Sequence, residues 1–235
     1  MMSLLYRMKR KLGRYAITNL PLYVTIAFTA GYLLQLFPVG QAAYYAFLSF
    51  MPRFFLKGQI WRIVTAIVYP PVTGGNILLG LLSIYIYYSF AKVVERSIGA
   101  FEFNVYFFGS ILVGELGSLL YYAITKDPTA VFRPIFTHFS VFMAFAIMYA
   151  EQSVLLFFVI PVKVKWVAII EAAVYVFEFI SGGLETKIMI IAAFIPVILF
   201  WLAMNKRETG GDIISNIRFK IRQKKRQKEW RDSWK

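Results

Sequence analysis

The sequence predicts an all-α, polytopic membrane protein, and three observations carry that prediction. Hydrophobic residues make up 59% of the chain and aromatic ones 18%, against only 16% charged, with a mean hydropathy of +0.62; a soluble chain of 235 residues has no core able to bury that much apolar side chain. The apolar residues gather into six runs, 16–37, 76–91, 103–124, 134–150, 166–180 and 188–204, divided by polar or charged stretches. Lys and Arg are shared unevenly between the two predicted sides, twenty against six, which places both termini on one side, in the cytoplasm. Zero cysteines exclude disulfides and thiolate chemistry, and a single histidine argues against a histidine-based metal centre. No cofactor is predicted.

The chain opens with a basic cytoplasmic segment, 1–15, carrying Arg7, Lys9, Arg10, Lys11 and Arg14. The first apolar run, with Asn19 as a candidate cap and Pro21 in its first turn, is too long and lacks the small-residue site of a cleaved signal, so it reads as retained. Residues 38–71 are rich in aromatics but too broken to span. They read as short helices and turns in the interface, with Tyr44, Tyr45, Phe47, Trp61 and Tyr69 at headgroup depth and Arg62 snorkelling beside Trp61. Several later runs hold only 15 to 17 residues, short of the ~20 needed to cross a hydrocarbon core. The third run carries Ser110, Gly114 and Ser118 at four-residue spacing beside Gly109 and Gly117, a small-residue face suited to internal helix packing.

Candidate chemistry inside the membrane rests on few side chains. Glu115 lies in the third run; Glu171 and Glu178 lie seven residues apart in the fifth, on one helical face. Each is either satisfied by neighbouring polar groups or part of a proton, cation or polar recognition path. At the end of the second run, Glu95 can accept hydrogen bonds from a neighbouring loop, and Gly99 permits the turn into the third.

Three phrases carry a family resemblance. They are Gly58-Gln59-Ile60-Trp61-Arg62, then Glu95 four residues before Gly99, then Ile160-Pro161-Val162-Lys163-Val164-Lys165-Trp166. Together they resemble the first loop, second helix and fourth-to-fifth connection of the rhomboid superfamily. The resemblance implies a six-transmembrane-helix rhomboid-like bundle with an embedded first loop. It also implies Lys163 and Lys165 at the inner headgroups, with Trp166 as anchor.

Active rhomboids pair a serine in Gly-x-Ser-Gly on the fourth helix with a histidine on the sixth. Here the matching stretch reads Phe136-Thr137-His138-Phe139-Ser140-Val141, without the glycines, and the sixth run has no histidine. His138 and Ser140, two residues apart on a helix, point about 200° apart, so His138 is no base for Ser140. The resemblance therefore implies an inactive, pseudoprotease member.

The membrane domain covers 16–205, and a basic amphipathic tail follows at 206–235. Ile213, Ile214, Ile217 and Ile221 form its stripe; Arg218, Lys220, Arg222, Lys224, Lys225 and Arg226 are placed to meet anionic lipid headgroups rather than nucleic acid. The functional expectation is a non-catalytic protein of a bacterial inner membrane that binds transmembrane segments of other proteins and affects their stability or trafficking. The alternatives are a small-solute or proton carrier using Glu115, Glu171 and Glu178, or an atypical serine protease at Ser140.

Overall fold

A computed structural model describes residues 8–70, 77–132, 134–156 and 160–204. Its principal helices are α1 (Leu20–Gln35), α2 (Ile77–Ile98), α3 (Ala100–Thr125), α4 (Ile135–Met148), α5 (Val164–Ser181) and α6 (Leu184–Met204). A hairpin joins α4 to α5: β1 (Ser153–Leu156) runs antiparallel to β2 (Ile160–Lys163), with Ser153 opposite Lys163 and Leu156 opposite Ile160. The chain is thus a largely helical membrane protein.

Among the described residues three helices, α2, α3 and α6, are long and apolar enough to cross a membrane, and a fourth crossing is available if the bent pair Met8–Tyr15 and Leu20–Gln35 counts as one. This is fewer than the six predicted spans. At 1.5 Å per residue the 14 residues of α4 reach only about 21 Å, against a core of roughly 30 Å. The 18 residues of α5 include Lys165, Glu171 and Glu178. Conversely, α2 and α3, with 22 and 26 residues, are not short, because the charged residues Lys92, Glu95, Arg96 and Glu102 continue their helices past the apolar runs.

The first helix also begins later than its apolar run. Residues 16–19 are not helical, and Asn19, with φ +59°, makes no capping bond. Its cap comes from another helix instead: Glu95 Oε1 accepts the Leu20 N–H at 3.2 Å. A carboxylate there also meets the positive end of the α1 dipole. Asn104 of α3 holds the same segment, accepting from the Ile17 N–H at 3.0 Å and donating to the Ile17 carbonyl at 2.9 Å.

Core packing centres on α4, which contacts α2, α3 and α5, while α1 packs along α2. Two glycines permit close approach on the α1 side. A Cβ on Gly80 would lie 2.1 Å from the buried Tyr32 ring, and one on Gly31 would lie 1.9 Å from the Val68 carbonyl of the first loop. The predicted small-residue face of α3 packs internally, as expected: Gly114 lies under the Phe132 ring and Gly117 against Ala192 of α6. Gly109 alone faces open space. Aromatic contacts of Phe194 with Phe139 and of Phe200 with Tyr106 fasten α6 to α4 and α3.

Candidate functional site

The first loop folds as a chain of short helices, Pro38–Ala43, Tyr44–Leu48, Pro52–Phe55 and Arg62–Thr65, followed by a tight turn at Ala66–Val68. A helix end leaves carbonyls without partners, and those at the end of Tyr44–Leu48 are met one by one from residues 61–65. Arg62 donates Nη2 to the Ala46 carbonyl and Nη1 to Ser49 at 2.6 Å; Trp61 Nε1 donates to Phe47 at 3.2 Å and Thr65 Oγ1 to Leu48 at 2.8 Å. Arg62 Nε is held by Gln59 Oε1 at 2.7 Å, and its guanidinium lies over the Phe54 ring. Gly58, with φ +96°, makes the turn that brings Gln59 back onto Arg62.

This corrects the snorkelling assignment. Arg62 is 1% exposed, and its planar fork solvates its charge with carbonyl oxygens rather than water. Tyr44 is likewise buried in the loop core against Tyr45 and Tyr69, whereas Phe47 and Trp61 are exposed.

At the opposite ends of α1 and α2, Glu95 is buried. Besides capping α1 it takes Lys92 Nζ at 2.9 Å on Oε2, while Lys92 also reaches Asn19 Oδ1. Gly99, with φ +97°, turns the chain from α2 into α3. The connection between α4 and α5 is tied by ion pairs from Glu151 to Lys165 at 2.6 Å and Lys163 at 2.9 Å, which pull the Glu151 carboxyl down to about 2. Trp166 is half exposed beside Lys165, and Pro161 sits within β2 opposite Leu155.

On α4, Ser140 and His138 are both buried and are not brought together. The Ser140 hydroxyl donates to the Thr137 carbonyl at 2.8 Å, and its own carbonyl accepts from the Tyr106 hydroxyl. His138 lies edge-on to Phe28 and Tyr87, with ring centroids at 4.7 and 5.2 Å, and its Nε2 is 3.3 Å from the Tyr69 carbonyl. This ties the first loop to α4, α1 and α2.

The carboxylates of α3 and α5 are separate as well. Glu115 is buried on α3 with Oε1 lacking a hydrogen-bond partner. Glu171 is half-buried and Glu178 exposed on α5, with Tyr175 between them on the same face. Among the described residues no hydrogen bond or ion pair joins Glu115 to either. The tail residues Arg218, Lys220, Arg222, Lys224, Lys225 and Arg226 lie outside the described residues.

Sequence reading missed Asn104, Thr65 and Tyr106. Asn104 did leave a signal, an amide in an otherwise apolar run that needs buried partners. No family model matches the chain, and comparisons with curated proteins and with solved structures found no match.

Proposed function

We propose that this chain is a non-catalytic, rhomboid-like membrane protein that binds transmembrane segments of partner proteins between α2 and α5. One observation carries the reading: α2 and α5 both pack on α4 and barely meet each other, and α5 is held lightly, burying only Val164, Ala168 and Tyr175. A lightly held, apolar helix beside a gap is what an intruding transmembrane helix requires, and half-buried Glu171 offers it a polar contact.

All six helices cross in this proposal. Bonds between Leu20 and Glu95, Ile17 and Asn104, and Ser97 and Tyr149 gather the start of α1, the end of α2, the start of α3 and the residue after α4 at one face, which supports alternating passage. That face, bearing Arg10, Lys11, Arg14 and Lys165, is the cytoplasmic one of a bacterial inner membrane. The short α4 crosses where the bilayer thins around it. Catalysis is not part of the function, because the Ser140 hydroxyl is bonded back into its own helix and no histidine reaches it.

Site-specific photocrosslinkers in cells test the binding. At Ile170 of α5 they should capture partner peptides that are themselves transmembrane, while the same probe at Ile191 or Ile198 of α6 captures few; equal capture at all positions would reject the groove. A carrier is the second reading, favoured by the unpartnered Glu115 Oε1. It requires proton or solute flux in proteoliposomes that Glu115→Gln abolishes.

A further inference from the structure

A second lipid-facing feature lies away from α5. Between α1 and α2 runs a groove of about 240 Å³, lined by Leu22, Thr25 and Thr29 on one wall and Leu81, Tyr85 and Tyr88 on the other. From Leu22 to Thr29 it extends about 10 Å along the helix. Its walls are apolar despite the threonines, since Thr25 Oγ1 donates to the Pro21 carbonyl at 2.6 Å and Thr29 Oγ1 to the Thr25 carbonyl at 2.9 Å, leaving their methyls to face outward. A helix with its side chains would need roughly 800 Å³ over that length, so a single extended chain is the better fit.

The groove is not symmetric in charge. Tyr85, Tyr88, Lys92 and Arg96 continue one stripe of α2, and Arg96 ends it as an exposed cation. At this face the acids are already neutralised, Glu95 by Lys92 and Glu102 by Lys9. Arg96, Arg10, Lys11 and Arg14 have no carboxylate partner among the described residues. The apolar slot thus opens, about two turns beyond Tyr88 and past the paired Lys92, onto the unpaired charge of Arg96.

We infer that the α1–α2 groove is a binding site for an anionic phospholipid, one acyl chain lying between Thr25 and Tyr85 and the phosphate meeting Arg96 and Arg14. Tyr88, at the mouth, sits where the glycerol esters fall, so its hydroxyl can donate to one of them. The site is distinct from the proposed partner gap at α5 and does not depend on it.

The full-length protein in bilayers should be labelled with phosphatidylglycerol carrying a photoactivatable diazirine at mid-chain, against matched phosphatidylcholine. The anionic probe is expected to mark peptides spanning 22–29 and 81–88 about fivefold more than the neutral one, with the preference lost in Arg96→Gln. Thr25→Phe, which fills the slot, should reduce labelling there by both probes while leaving that at Ile191 and Ile198 unchanged. Equal labelling by the two lipids, or a preference that survives Arg96→Gln, would overturn the site and assign any anionic selectivity to other basic segments.

Discussion

Arg62 decides how the first loop holds together. Buried charges are destabilising unless they are well hydrogen-bonded, and this one donates from each of its three nitrogens, Nη1 and Nη2 to main-chain carbonyls and Nε to Gln59. Arg62→Met should therefore cost about 3 kcal/mol, since it strands the carbonyls of Ala46 and Ser49, whereas Arg62→Lys keeps the charge, loses the planar fork and falls between. Unfolding of the purified protein in mixed detergent micelles would measure both, and a Met variant as stable as wild type would remove Arg62 from the loop's support. Glu151 behaves differently because it is exposed. Its carboxyl is held down to about 2 by Lys165 and Lys163, so its contribution is present above the ordinary carboxylate range and lost as pH falls through about 2. Amide exchange in the β1–β2 hairpin should be slower in wild type than in Glu151→Gln at neutral pH, and the difference should shrink as pH drops from about 4 towards 2. A constant difference across that range would place the effect elsewhere.

Glycines on α3 show what an element can and cannot absorb. Gly117 faces Ala192 Cβ at 3.1 Å from where its own Cβ would sit, so Gly117→Leu must push α6 away, with a loss of about 1–3 kcal/mol. Gly109 meets nothing within 4 Å, and Gly109→Ala should be neutral or gain up to ~1 kcal/mol from helix propensity. A matched pair of thermal unfolding curves checks the contrast; similar losses in both variants would mean α3 is packed differently. The spacing of Ser110, Gly114 and Ser118 made this face readable in the sequence, because helical period alone selects it. Period was less informative at the connection of α4 to α5, where Ser153–Leu156 pairs with Ile160–Lys163 and Val164 already begins α5. Val154, Leu155 and Leu156 fit a strand as well as a helix, and only pairing with Ile160–Lys163 selects between them. Helix ends were misjudged for a related reason: hydropathy marks where a helix leaves apolar surroundings, while Glu95 and Asn104 set where α1 starts through contacts 75 and 87 residues away in sequence.

At the scale of the whole molecule, what the sequence showed was class rather than count. Composition and the apolar runs are additive properties of residues, so a helical membrane protein was legible; which helices cross depends on lengths set by capping and on the bilayer, which no single run encodes. The candidate site followed the same division. The chain placed Glu95, Arg62 and Ser140 in their segments, but the burial of Arg62 and the turning of Ser140 towards Thr137 arise from neighbours distant in sequence. Orientation remains the property that most constrains function, since it fixes which face the basic N-terminal segment, the hairpin and the tail share. In the proposed arrangement, with α1 to α6 all crossing, Ser153 in β1 and Ser233 in the tail are expected on the cytoplasmic side. The chain has no cysteine, so a single Ser153→Cys or Ser233→Cys reports on its own position. In intact cells neither should react with a membrane-impermeant thiol reagent, and both should react once the membrane is opened. If Ser153→Cys were labelled while Ser233→Cys was protected, an odd number of crossings would separate them, and α5 or α6 would have to lie along the membrane surface rather than through it.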